Sequence, residues 1–192
     1  MNQAILGQAG TVMQFVGDAV MAVFGAPFPQ PDHADRAVAA ALAMHARQAE
    51  INSRWVADGL PAFGLGLGLS SGEAAAALLG SAERLEYTLV GDTVNLSQRL
   101  QQLAEPGQTV LSEATLKALH TEISAVALGA QRVKGRDTPV IAYKIPNPPD
   151  PATGAAVRVC GDGITSASPG AGSGASPRAG AGTGAASRTG GR

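Results

Sequence analysis

An α/β sandwich, with helices packed on a mixed sheet, is the fold class predicted by this 192-residue sequence. Three observations carry that expectation. Strand-prone and helix-periodic stretches alternate through residues 1–145, and Gly-, Pro- and Asp-containing turn signals separate them. Hydrophobic residues make up 45% of the chain, enough to build a core. Composition then changes sharply near residue 146: Pro, Gly, Ala, Ser and Thr dominate to the end, with almost no large apolar side chains to offset the entropy of ordering a backbone. Residues 1–145 therefore read as the folded domain and 146–192 as a disordered Gly/Ala/Ser/Pro-rich tail.

The elements follow in order. Thr11–Val16 and Ala19–Phe24 are β-prone runs across Gly17-Asp18, the pattern of a hairpin. Pro27, Pro29 and Pro31 interrupt regular structure, and Asp32 is suited to cap a helix running to about Trp55. Ala37, Val38, Ala41, Leu42 and His45 recur at helical spacing and are expected to form its buried face. Phe63–Leu69 alternates apolar residues with glycine, which suits a strand with close backbone neighbours. Glu73–Leu79, bracketed by Gly72 and Gly80, and Tyr87–Val90 are further strands. Asp92 is expected to cap a helix from Thr93 to Ala104, ended by Pro106-Gly107. Thr109–Leu111 is a strand and Ser112 caps a helix through about His120. Two β-prone stretches, Ala125–Leu128 and Val140–Ile145, close the domain around a loop containing Lys134-Gly135-Arg136.

Composition also excludes several functions. A net charge of -1 gives no bulk attraction to nucleic acid, and an aromatic content of 4% leaves few bases to be stacked. Cys160 is the single cysteine, so one chain can form neither a disulfide nor a cysteine zinc site. His33, His45 and His120 lack metal-ligand spacing. No apolar run reaches the ~20 residues that span a bilayer, and a cytoplasmic protein without a membrane segment is the expectation.

Two segments offer chemistry. Asp18 is the first acid in the chain and sits at the tip of an apolar hairpin. A carboxylate there can bind a hard cation, or simply shape the turn. Asn95 and Arg99 are four residues apart and share one helix face. An amide beside a guanidinium can hold a sugar oxygen and a phosphate together, and the same pair can equally be solvated surface. Lys134, beside a glycine, can reach a phosphate.

Taken together, FVGDAVMAVFG, SSGEAAAALLGS, EYTLVGDTVNLSQRL, PGQTVLSEAT and VKGRDTPVIAYKI resemble, in the same order, the catalytic domain of class III nucleotidyl (adenylate/guanylate) cyclases. The similarity spans about residues 5–145. It implies a ferredoxin-like mixed sheet and conversion of a nucleoside triphosphate to a 3′,5′-cyclic nucleotide and pyrophosphate. It further implies Mg²⁺ or Mn²⁺ at Asp18, ribose orientation by Asn95, transition-state charge stabilisation by Arg99 and terminal-phosphate binding by Lys134. The resemblance also implies sites shared head-to-tail in a homodimer, with the metal aspartate on one protomer and the Asn/Arg pair on the other. Gln14 and Thr88 match the two positions that read the base. Thr88 favours ATP, whereas the uncharged Gln14 is compatible with some use of GTP.

One family feature has no counterpart. The strand pattern F-x-D-I-x-G-F, which carries a first metal aspartate in the middle of the sheet, is absent from residues 1–192. Relative to the family the sequence is N-terminally incomplete, and two strands are expected to lack a neighbour. Little or no cyclase activity and poor folding are expected of this chain by itself. Two functions stand side by side: an adenylate cyclase, and a catalytically inactive cyclase-like module for dimerisation or nucleotide binding.

Overall fold

Chain order and turn chemistry place the first elements. The computed structural model describes residues 1–81, 84–132, 138–146, 157–160 and 163–166. Helix α1 (Asn2–Gly7) leads into strands β1 (Thr11–Val16) and β2 (Ala19–Val23). They form the expected antiparallel hairpin, with Val16 opposite Ala19 across Gly17-Asp18. Gly17 takes φ 61°, a left-handed conformation that suits a two-residue hairpin turn. The register shifts between Val12 and Gln14, so Met13 is an extra residue that twists the hairpin.

Helix α2 (His33–Ala57) follows, with Asp32 in the cap position. The Asp32 side chain does not cap, because its carboxylate instead accepts a hydrogen bond from Arg36 Nε at 2.8 Å. The buried face is Ala34, Val38, Ala40, Ala41, Met44, His45 and Gln48. Leu42, expected inside, is 40% exposed, because the apolar stripe turns toward 34, 38, 41, 45 and 48. His45 is 1% exposed, and its Nε2 lies 3.0 Å from Thr109 Oγ1, while burial pushes its pKa down.

Strand β3 is only Leu67–Leu69, shorter than the 63–69 expected. Phe63 cannot join a ladder, because Asn52 occupies both its N–H (3.1 Å) and its C=O (2.9 Å). Strands β4 (Ala75–Ser81) and β5 (Arg84–Val90) pair antiparallel. Helix α3 (Asp92–Leu103) starts with Gly91 as its cap, so Asp92 is the first helical residue rather than the cap predicted from sequence. A carboxylate there still complements the helix dipole.

Strand β6 (Gln108–Ser112) runs into helix α4 (Glu113–Lys117), where Ser112 Oγ accepts from Thr115 N at 3.2 Å as expected. The helix stops at Lys117 rather than His120. The next amides are taken by Asp35 at the start of α2, which accepts from His120 N at 3.1 Å, Thr121 N at 2.8 Å and His120 Nδ1 at 2.9 Å.

Strands β7 (Ser124–Gln131) and β8 (Val140–Pro146) complete the domain. Two short strands, β9 (Val157–Cys160) and β10 (Gly163–Ser166), lie within the stretch expected to be disordered, and β9 pairs with β7 at Ser124 and Ala125. Val157, Val159 and Ile164 give this short stretch the β-branched apolar residues that the rest of the segment lacks.

The main sheet has the order β10-β9-β7-β8-β6-β3, with β3 parallel to β6 and the remaining pairs antiparallel. Helices cover both faces. Ala34 and Val38 of α2 and Leu116 of α4 pack with Leu111, Tyr143 and Ile145. Leu96 and Leu100 of α3 pack with Val110, Val140 and Ala142 on the opposite face, as alternation along β6 and β8 requires. The mixed α/β class is thus as the sequence predicts. Hairpins β1–β2 and β4–β5 stand as separate two-stranded sheets, and β3 is paired on one side only among the described residues.

The Asp35 clasp makes stability depend on pH. Burial raises the Asp35 pKa, but the hydrogen bonds from His120 and Thr121 outweigh it and hold the carboxyl at about 2, below its ordinary 3.8. A depressed carboxylate stabilises the fold above its unfolded pKa and loses that contribution as pH falls through the folded value. Asp35→Asn is expected to cost about 2 kcal/mol at pH 7. Its stability should converge with that of the wild type between about pH 4 and pH 2, as measured by denaturant unfolding across that range.

Candidate active site

The hairpin and α3 carry Asp18, Asn95 and Arg99, three of the residues to which the sequence assigns chemistry. Asp18 follows Gly17 at the tip of β1–β2, exposed to solvent. It makes no hydrogen bond or ion pair among the described residues. Phe15 (63% exposed) and Val16 (56%) flank the turn, so a carboxylate stands beside uncovered apolar surface.

Helix α3 is held close to the sheet at a glycine. A Cβ on Gly68 of β3 would collide with the backbone of Ser97 and Gln101, so only glycine permits this approach. With Leu96 and Leu100 buried below, Asn95 stands exposed on the outer side and Arg99 one turn further along is half-buried. Arg99 Nη1 donates to Gln102 Oε1 at 3.2 Å, and Arg99 Nε is enclosed without a hydrogen-bond partner among the described residues. Gln102 was not singled out from sequence, although its spacing of three from Arg99 makes such a contact legible.

Gln14 lies on β1, exposed, opposite Met21; Thr88 lies on β5, half-buried, opposite Ala77. Strand β1 touches β5, so the two expected base-reading positions sit on strands of separate two-stranded sheets that meet. Lys134 falls outside the described residues. No hydrogen bond joins Asp18 to Asn95 or Arg99 in one protomer. A shallow concavity at the start of α3, lined by Glu73, Ala74, Ala75 and Val90, contains none of the expected site residues.

A hard cation is compatible with Asp18, because Mg²⁺ is commonly held by one or two carboxylates together with substrate phosphates. A site built from protein groups alone is not present: among the described residues no three His, Cys, Asp or Glu side chains converge.

The family model of the adenylate and guanylate cyclase catalytic domain matches residues 5–147. The chain belongs to this family. The cyclase domain is 35% identical over 146 residues to adenylate cyclase 1 of Rhizobium meliloti, covering 75% of this chain and 22% of that protein. It is 36% identical over 135 residues to an uncharacterized protein of Mycobacterium tuberculosis, covering 68% and 24%. The chain thus spans about a quarter or less of the length of these curated relatives. Among solved structures, the adenylyl cyclase CyaB from P. aeruginosa superposes with a TM-score of 0.71 at 30% identity, covering 74% of each chain. The guanylyl cyclase Cya2 superposes with a TM-score of 0.68 at 32% identity, covering 74% of this chain and 73% of that one. No helix among the described residues is long and apolar enough to cross a membrane.

Proposed function

We propose that this cyclase domain takes ATP, converting it to 3′,5′-cyclic AMP and pyrophosphate at sites shared between two copies of the chain. The observation that supports the substrate reading is that β1, which carries Gln14, and β5, which carries Thr88, come into contact in the fold. A carboxamide and a hydroxyl each offer a donor and an acceptor, so the pair can meet the amino group and ring nitrogen of adenine. A flipped amide meets guanine too, and discrimination therefore rests on neutral hydrogen bonds worth about 0.5–1.5 kcal/mol each.

In the proposed reaction the ribose 3′-hydroxyl releases its proton to solvent and its oxygen bonds to the α-phosphorus, while the bond from that phosphorus to the bridging oxygen breaks and pyrophosphate leaves. Asn95 orients the ribose. Arg99 faces charge developing on the α-phosphate, where a guanidinium is most effective. Lys134 binds the terminal phosphates. Asp18 would hold Mg²⁺ or Mn²⁺, which would supply charge neutralisation to the triphosphate. Phe15 and Val16, exposed beside Asp18, favour a homodimer in which the hairpin tip of one protomer is covered by its partner. A nucleoside triphosphate substrate fits a cytoplasmic location.

The second function, a module that binds nucleotide without turnover, is favoured because Asp18 at the hairpin tip belongs to no metal-binding cluster among the described residues. Calorimetry with Mn²⁺ and each nucleotide tests the substrate. ATP should bind tighter than GTP by less than about 10-fold, and Gln14→Glu should reverse the order. Tighter binding of GTP by the wild type would overturn the ATP assignment. Turnover of bound ATP separates the enzyme from the binding module.

A further inference from the structure

We propose that Gln102 is a positioning residue for Arg99, fixing the guanidinium that meets nucleotide phosphate; the phosphate contact itself rests on the function proposed above. Three features support it. First, Arg99 Nε is enclosed and has no hydrogen-bond partner among the described residues, so the inner edge of the guanidinium is held by packing alone. Second, the outer edge is tethered at one point, Nη1 to Gln102 Oε1 at 3.2 Å. Third, side chains on a helix lean toward its N-terminus, so Gln102 reaches back over Arg99 while Arg99 leans toward Asn95.

The donor count leaves the group useful. A guanidinium carries five N–H donors in a rigid fork. Gln102 accepts one and the enclosed Nε–H takes a second out of reach of solvent, which leaves three for an anion. A free arginine side chain would lose rotamer freedom on grasping phosphate, and the tether removes part of that loss before the ligand arrives. The contact is solvent-exposed, so its effect falls on the aim of Arg99 rather than on the stability of the fold.

The test uses the full chain and two readouts. In ¹⁵N spectra of the arginine side chains, the Arg99 Nε–H signal is assigned by its loss in Arg99→Lys. Gln102→Met keeps the side-chain length but removes the acceptor. It should speed exchange of the Arg99 Nε–H severalfold and weaken binding of ATP with Mn²⁺ by about 2- to 5-fold. Gln102→Glu, which restores an acceptor, should recover slow exchange. In an Arg99→Ala background, Gln102→Met should weaken binding no further, because a residue acting through Arg99 has nothing left to position. Unchanged exchange in Gln102→Met, or an undiminished binding loss in the Arg99→Ala background, would overturn the proposal. If Arg99→Ala itself leaves the affinity for ATP unaltered, the nucleotide role of Arg99 is what fails, and the exchange measurement still decides whether Gln102 fixes the guanidinium.

Discussion

Gly68→Ala is expected to lower the midpoint of thermal unfolding by roughly 10 °C, corresponding to about 3 kcal/mol in a domain of this size. One methyl group has this effect because of what it meets. The added Cβ would overlap the carbonyl oxygen of Ser97 and the backbone of Gln101, which no rotamer change can move aside. Helix α3 would have to lift from β3, loosening Leu96 and Leu100 from Val110 and Ala142. About 3 kcal/mol is a large share of the total stability of an ordinary domain. Gly7→Ala is the control, since nothing lies within 4 Å of the new Cβ and the residue is helical. It should leave the midpoint unchanged or raise it slightly. Equal behaviour of the two variants in calorimetry would show that the tight approach of α3 to β3 is wrong.

Arg99→Ala is expected to weaken binding of ATP with Mn²⁺ by about 10- to 100-fold, the scale of a charge-assisted hydrogen bond to phosphate. Arg99→Lys should recover only part of the loss, because an ammonium cannot reproduce the planar two-point contact. The melting temperature of both variants should stay near that of the wild type, since the Arg99 hydrogen bond in the free protein is exposed. Asp18→Ala should act differently. It should abolish the enhancement of ATP binding by Mn²⁺ and leave the weaker, metal-free binding intact. An Arg99→Ala protein that binds ATP as tightly as the wild type would remove the phosphate role.

Much of this was legible in the sequence, for identifiable reasons. The Gly17-Asp18 turn and the Ser112 cap rest on short-range chemistry, and both formed as local rules require. The glycines of 64–68 signalled close approach, and Gly68 is where the helix lands. Errors arose where a distant group won. Asn52 captured the backbone of Phe63 and shortened β3; Asp35 captured the amides of His120 and Thr121, which a longer α4 would have needed. Asp32 chose Arg36 over the helix amides. Leu42 fell off the buried face because a 25-residue helix meets the sheet along one stripe only. For the site, the spacing of Asn95 and Arg99 was readable, and so was the turn that presents Asp18. The approach of the strands that carry Gln14 and Thr88 was not, because it brings β1 to a strand some seventy positions away.

Mixing two crippled proteins tests the shared site most directly. Asp18→Ala and Arg99→Ala each damage both sites of a homodimer. After subunit exchange, half of the dimers hold one chain of each kind. Each such dimer regains one site with Asp18 from one protomer and Arg99 from its partner. Titration with ATP and Mn²⁺ should then recover high-affinity sites at about a quarter of the wild-type number, by random pairing. Recovery of none, in a mixture shown to have exchanged subunits, would contradict a pocket built across two protomers.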